Sequence, residues 1–504
     1  MISWIRRQSD TMWPMSKRVV AVLLVGVATV ASYRRWRRRP QRGSSAPVSI
    51  GSRGARTLEL ARVGSRAGAG YASMATRAAF ASEGRKAELR SEFELRTAEQ
   101  VAEALGNMKG AAMKLGQMAS YLDQGLPEPV REVLATLQAD APPMSAELAA
   151  AMIRDELGAD PEVVFAEWSP TPLASASIGQ VHRAVTHDGE VVAVKVQYPG
   201  VDAAIEADLA NSDVLFWAMG FLFPGMDPKP IVAELRDRIT EELDYRTEAA
   251  HQSRFAQQYE GHPTIHVPRV LPEYSTGRVL CTELAEGAGF ADVVTWSQAE
   301  RDLAAETLFR FAFGGIYRLG AFNGDPHPGN YLFRSGGRIS FLDYGLCKIF
   351  TPDEVSIFER LIRAMVFERD MVAFARYSEE IGVLRDAAQF SEQQIFDYFS
   401  HFYEFVMVDE PTTMTHEYAS RSVRQFFDLS GPSAGIMKNA NLPPSLVIIQ
   451  RINLGLFALF ADLGATGNWR RLGEEIWPFV DGPPSTPMGE AIADWEGRRA
   501  VPIS

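Results

Sequence analysis

Apolar residues recur along this chain with two different periods, and the change from one to the other divides it. Residues 56–142 are Ala-rich and read as helical. Within them Ala98, Val101, Leu105, Met108, Ala112, Leu115, Ala119 and Leu122 fall at spacings of three and four, an apolar seam for packing on another helix. From Phe165 the period shortens towards two. Residues 172–183, the Asp188-Gly189-Glu190 turn and residues 191–196 read as strand, small-residue turn, strand, hairpin, strand. Two helical stretches, 201–223 and 230–260, follow on either side of Pro224-Gly225. Strands are expected at 267–271 and 278–284, around a turn at 274–277, with 284–287 crossing into a helical region. A last short hairpin, Tyr331–Arg334 and 339–342, turns at Ser335-Gly336-Gly337. Thr351-Pro352-Asp353-Glu354 then signals a helix start, and helical patterns cover 355–369, 371–381, 391–408 and 445–463. The polar, Pro-containing tail, 482–504, is expected to be flexible.

One apolar run fits neither period. Residues 19–33 carry no charge and are flanked by Lys17-Arg18 and by Arg34, Arg35, Arg37, Arg38, Arg39 and Arg42. As a helix the run would span about 22 Å, short of a hydrocarbon core of about 30 Å. Snorkelling Arg and Lys, with Trp13 and Trp36 at the edges, can make up the difference, so a single-pass membrane anchor is the first expectation, with a cleaved signal or a soluble start as the alternatives. The Arg excess after it would keep the body on the cytoplasmic face. Residues 43–53 read as a linker.

Composition narrows the function. With 504 residues and 46% hydrophobic content, the chain can bury a large core in two or three domains. The first 50 residues hold ten Lys or Arg and one Asp, while the whole chain carries a net charge of -12, so the body is acidic and no nucleic-acid partner is expected. Two cysteines, Cys281 and Cys347, are too few for a disulfide framework, and no CxxC or HxxxH spacing points to a transition metal.

The chemistry concentrates in residues 319–348. Asp325 and Asn330 precede the last hairpin and Asp343 follows it, so hairpin closure brings two carboxylates and an amide to one edge. Such a group can orient a nucleophile and supply two oxygen ligands to magnesium, as phosphoryl transfer requires. Lys195 sits inside an apolar strand, where an ammonium needs a carboxylate or phosphate partner. The Ala174-Ser175-Ala176-Ser177 turn lies where a phosphate-covering loop would, without the glycines of GxGxxG. In the stretch 230–260, Asp244 and Glu248 share a helix face and Glu242 points about 120° away from Glu248, so one helix could address two neighbours. Upstream, Lys114 and Gln117 stand one turn apart.

A strand Lys, a helix Glu, a loop Asp with Asn five residues on, and an Asp-Tyr-Gly after a hairpin occur in the order used by the protein-kinase-like fold. The chain also resembles the UbiB/AarF-type atypical kinases from about residue 95 to 465. Lys114-Leu115-Gly116-Gln117 is similar to their KxGQ motif, residues 174–180 to their alanine-rich loop, Glu242-Leu243-Asp244 to their ExD motif, and residues 325–330 with Asp343-Tyr344-Gly345 to their catalytic and metal segments. The fold implied is α+β, an atypical protein-kinase-like two-lobe fold with an α-helical N-terminal extension and a mostly helical C-terminal lobe. Its expected parts are a basic segment at 1–50, the helical extension at 51–150, an N-lobe with an inserted helix at 151–285, a C-lobe at 286–481 and the tail.

The resemblance implies that Lys195 holds the α- and β-phosphates of ATP and pairs with Glu248, that Asn330 and Asp343 bind Mg2+, and that Asp325 is the candidate base. Ala174, Ser175, Ala176, Ser177, Glu283 and Leu284 would surround the nucleotide. The extension would bring Lys114 and Gln117 near the phosphates and near Glu242 and Asp244, in place of a peptide substrate. Asn323-Gly324-Asp325 stands where a regulated protein kinase has His-Arg-Asp, and the segment after Asp343 is too short for a peptide-docking activation loop. The function implied is therefore ATP hydrolysis, or phosphorylation of a small or lipid-linked substrate, in support of isoprenoid quinone biosynthesis. The partners implied are ATP, an isoprenoid lipid or quinone precursor, a membrane surface and other biosynthetic enzymes. Alternatives are a non-catalytic nucleotide-binding scaffold and a conventional protein kinase.

Overall fold

The computed structural model describes residues 144–176, 178–202, 243–324, 326–384, 389–427, 436 and 444–500. The expected anchor at 19–33, the seam with Lys114 and Gln117, most of the stretch 201–223, and Ser177, Glu242 and Asp325 lie outside the described residues. Among the described residues no helix is long and apolar enough to cross a membrane.

Helix α1 (Ala146–Leu157) begins at Ser145, whose hydroxyl accepts the Leu148 N–H, and ends at Gly158 in the left-handed region, φ 82°. An antiparallel sheet follows, formed by β1 (Glu167–Ser175), β2 (Gly179–Val185), β3 (Val191–Gln197) and the later β5 (Val279–Glu283), in the order β1-β2-β3-β5. Period-two alternation decides the faces of β3. Val192, Val194 and Val196 are fully buried in a core shared with Ala149, Met152 and Ile153 of α1. Ala193 and Lys195 face the other way, into a cleft. Gly179 opens β2 because nothing larger fits: a Cβ there would stand 2.2 Å from the Val196 carbonyl oxygen.

Helix α2 (Tyr245–Gln258) lines the cleft with Tyr245, Glu248 and Gln252, and β4 (Ile265–His266) pairs in parallel with β8 (Arg338–Phe341), outside the four-stranded sheet. Helix α3 (Gln298–Leu319) is the spine of the second lobe; Ala304, Leu308, Phe309, Phe311 and Ile316 along it are all buried. Beside it lie β6 (Ala321–Asn323), paired with β9 (Cys347–Ile349), and β7 (Tyr331–Arg334), paired with β8. Helices α4 (Pro352–Ile362), α5 (Met371–Glu380), α6 (Glu392–Ser400), α7 (His416–Phe427), α8 (Pro444–Leu463) and α9 (Trp469–Glu474) build the rest around an aromatic core containing Phe374, Phe457, Phe460 and Trp469. The fold is the α+β, protein-kinase-like arrangement of a sheet lobe and a mainly helical lobe.

Three expectations change. Residues 267–271 do not form a strand, because Pro268 has no N–H to give a ladder; only the Val270–Thr282 bridge forms. The helix read from 230 to 260 does not run through Asp244, which is extended (φ -114°, ψ 100°) and caps α2 by accepting the Arg246 N–H at 3.0 Å. A short acidic side chain competes for backbone N–H groups and so favours the start of a helix over its interior. Residues 487–500 of the tail are not loose: α10 (Pro487–Ala500) buries Met488, Ile492 and Trp495, which share one helical face.

Where α2 gives way to β4, His262 is buried and its Nδ1 accepts the N–H groups of Thr264 and Ile265 at 3.2 and 2.9 Å. Burial, with Arg318 and Arg310 nearby, lowers its pKa from 6.5 to about 3. Between those values the unfolded chain binds a proton that the folded one refuses, so this contribution to stability is complete above about pH 6.5 and is lost as the pH falls towards 3. The loss approaches ~1.4 kcal/mol per pH unit. Thermal melting between pH 6.5 and 5 should show a falling midpoint, and His262→Asn, whose side-chain oxygen can accept in place of Nδ1, should flatten that slope.

Candidate active site

The cleft between β3 and the second lobe holds a cavity of about 450 Å³. Ala174, Ser175 and Ala176 form one rim, and the Ala176 N–H bonds the Gly179 carbonyl at 2.8 Å, closing the turn between β1 and β2. The inner wall carries Lys195, Glu248, Thr282, Glu283 and Leu284; Asn330 and Asp343 come from the second lobe.

Lys195 is the hub. Its Nζ donates to Glu248 Oε1 at 2.8 Å, to Glu248 Oε2 at 2.9 Å and to Asp343 Oδ2 at 3.4 Å, and lies 5.0 Å from the centre of the Tyr245 ring. Glu248 is 5% exposed, in the first turn of α2, so this ion pair is largely removed from water. Burial alone depresses a lysine pKa, but the carboxylates of Asp343 and Glu248 more than offset it, and the Lys195 pKa stands well above its ordinary 10.5. The ammonium is charged throughout the physiological range. Its share of stability is present in full below about pH 10.5 and fades only as the pH rises through the higher folded value.

Asp343 is fixed by its backbone. Asn323 Nδ2 donates to the Asp343 carbonyl at 2.7 Å, and the Gly345 N–H donates to Asp343 Oδ1 at 2.9 Å. Tyr344 is fully buried against Phe255 of α2, ring centres 5.1 Å apart, and its carbonyl lies 3.3 Å from His251 Nδ1. The Tyr344 hydroxyl pKa is pushed well up by burial. Tyr344 is therefore accommodated as an aromatic core residue. Asn330 closes a short 3-10 turn, and the Leu342 N–H donates to the Asn330 carbonyl at 3.0 Å, so the hairpin β7–β8 sets Asn330 beside Asp343.

Two protein oxygen donors side by side, with the phosphates of a nucleotide and water completing the shell, suit magnesium. Among the described residues no group of three or more His, Cys, Asp or Glu could hold a metal by protein ligands alone. At the end of β5, the Glu283 carboxylate is held from behind by His266 Nε2 at 3.3 Å and the Arg269 N–H at 3.3 Å, and the His266 bond is the first reason its pKa is lowered. The Leu284 N–H is committed to the Val191 carbonyl at 3.1 Å.

The structure thus brings together Ala174, Ser175, Ala176, Lys195, Glu248, Glu283, Leu284, Asn330 and Asp343 at one cavity. Asp244 is placed at the start of α2, 51% exposed along its side chain. Four residues about the site escaped the sequence reading: Tyr245, His251, Gln252 and Asn323. Asn323 stands beside the motif and could have been found there. The other three follow from where α2 begins and how it is rotated.

Comparison with known proteins decides the family. Residues 136–378 match the ABC1 atypical kinase-like domain. A solved structure of Mycobacterium tuberculosis Rv3197 in complex with erythromycin is 32% identical, and the match covers 79% of this chain and all of that one with a TM-score of 0.56. The chain belongs to the ABC1/AarF, or UbiB-type, atypical kinase family. Among relatives in this family, the mitochondrial atypical kinase COQ8 of Saccharomyces cerevisiae is 27% identical over 390 residues, covering 76% of each protein. A chloroplastic aarF domain-containing protein kinase of Arabidopsis thaliana is 31% identical, covering 75% of this chain and 53% of its own length. AarF domain-containing protein kinase 1 of Gallus gallus is 32% identical over 58% of each.

Proposed function

We propose that this UbiB-type protein is a magnesium-dependent kinase or ATPase that uses ATP in support of isoprenoid, quinone-type lipid biosynthesis at the cytoplasmic face of a membrane. The observation that carries the proposal is the Lys195–Glu248–Asp343 cluster, with Asn330 adjoining it on one wall of a nucleotide-sized cavity. Relatives with matching sequence are named atypical kinases.

In this reading Glu248 holds the Lys195 ammonium where it can meet the α- and β-phosphates. Asn330 and Asp343 hold Mg2+, which when bound neutralises charge on the phosphates. Asp325 orients the acceptor hydroxyl or water. Ala174, Ser175, Ala176 and Ser177 cover the phosphates, and Glu283 and Leu284 bound the base. The KxGQ pair, Lys114 and Gln117, belongs to an extension that lies near Glu242 and Asp244 and occupies the peptide-substrate side. The acceptor is then water or a small or lipid-linked molecule, and the basic start of the chain suits anionic lipid.

The test is phosphate release by purified protein in Mg-ATP, with and without anionic vesicles carrying a phenolic quinone-precursor mimic. Slow release that needs magnesium, rises with the vesicles and disappears in Asp325→Ala is expected. Equal release by wild type and Asp325→Ala would sink the enzymatic reading, and full rescue of a deletion strain by that variant would favour a scaffold.

A further inference from the structure

We propose that α10, at the C-terminal end of the chain, positions Glu248 from the far end of α2, with Trp495 and Arg499 as the positioning residues. This rests on the reading of the Lys195–Glu248 pair as part of a phosphate site. It adds a part of the chain that lies well beyond residues 136–378, the span matched by the family domain.

A helix leaves its last carbonyls without intrahelical partners and carries partial negative charge there. At the end of α2 those carbonyls are met by α10. Trp495 Nε1 donates to the Glu260 carbonyl at 3.0 Å. The Arg499 guanidinium donates to the carbonyls of Gln258 at 2.8 Å, Gln257 at 3.3 Å and Glu260 at 3.4 Å. Trp495 is 4% exposed, with the Arg499 guanidinium 5.1 Å from its ring centre and the His262 ring packed edge-on at 4.7 Å.

The other contacts of α10 are to the helical lobe. Glu496 pairs with Arg318 of α3 at 2.7 Å, Met488 sulfur accepts from Thr307 of α3 at 3.3 Å, and the Thr486 hydroxyl just before α10 donates to Glu306 at 2.6 Å. Glu306 and Glu475 both pair with the buried Arg310. So α10 is a bracket: one side is fixed to α3, and the other grips the end of the helix that carries Glu248.

The lever is long enough to matter. Ten residues separate Glu248 from Gln258, about 15 Å along the axis, so a tilt of about 10° at the gripped end would displace Glu248 by roughly 2.6 Å. The Glu248–Lys195 bond is 2.8 Å long. The same tilt would disturb Phe255 and His251, which contact Tyr344 next to Asp343.

The test uses the full chain with Trp495→Phe, which keeps an aromatic ring but removes the N–H, combined with Arg499→Ala, in wild-type and Glu248→Gln backgrounds. Hydrogen exchange at the α2 amides near Glu248 is expected to rise at least fivefold. Magnesium-ATP affinity is expected to fall about tenfold in the wild-type background and by less than twofold in Glu248→Gln. Arg499→Lys in place of Arg499→Ala should restore part of both. Unchanged exchange near Glu248, or equal affinity loss in the two backgrounds, overturns the proposal. If the wild type turns over no ATP, the enzymatic reading fails, while exchange and nucleotide affinity still decide the positioning role.

Discussion

Asp343→Asn should reduce magnesium-dependent phosphate release by 10³-fold or more, about 4 kcal/mol of barrier, while the protein stays folded. The reason lies in how the carboxylate is shared. Oδ1 accepts the Gly345 N–H and Oδ2 faces Lys195, so an asparagine can keep one of these bonds through its oxygen. What it cannot keep is the negative charge that holds a divalent cation. Nucleotide affinity measured without magnesium should be unchanged or slightly higher, because the site loses a charge that repels phosphate. Affinity measured with magnesium should fall towards the magnesium-free value. Retained, magnesium-dependent turnover in Asp343→Asn would remove Asp343 from the metal site.

Lys195→Met should be inactive and also less stable, and the two effects can be separated. Without its ammonium, Glu248 is a carboxylate that is 5% exposed with its main counter-charge gone. Removing one partner of a buried pair costs about 3–5 kcal/mol. Adding Glu248→Gln removes the stranded charge, so the double variant should recover much of the melting temperature but none of the turnover. Turnover in both should be at least 10²-fold below wild type, since the positive charge aimed at the phosphates is missing. A double variant no more stable than Lys195→Met would mean that Glu248 draws little from Lys195. Because the Lys195 pKa is raised, wild-type turnover should show no loss attributable to this group up to at least pH 10.

Much of the site could be read in the sequence because its parts sit on strongly patterned elements. The hairpin Tyr331–Arg334 and Arg338–Phe341 is announced by Ser335-Gly336-Gly337, and both glycines take positive φ, 75° and 70°. Once that hairpin closes, Asn330 and Asp343 must adjoin. The alternation in β3 likewise turns Lys195 away from Val192, Val194 and Val196. Asn323 was visible as an oddity in the loop before Asp325, but its task, holding the Asp343 backbone, depends on the β6–β9 pairing, which no local signal announces.

Where local propensity and tertiary demand compete, the sequence misleads. The acidic run 241–248 has a helical period, yet Asp244 takes the cap because its carboxylate reaches the Arg246 N–H. Between 487 and 500 the tail has only three large apolar residues among small and polar ones, Met488, Ile492 and Trp495, and this helix is held by partners far away in the chain. Trp495, for example, reaches the Glu260 carbonyl.

By itself the sequence determined the α+β kinase-like class, the family and most of the residues that gather at the cavity, because hydrophobic period, turn glycines and motif spacing are local properties. The tertiary structure alone decided that Lys195, besides pairing with Glu248, also reaches Asp343 across a separation of 148 residues. It also decided that α10 closes on the end of α2. Contacts at such distances follow from the docking of whole elements, where the burial of aromatic cores and the pairing of charges withdrawn from water outweigh the preferences of any single segment.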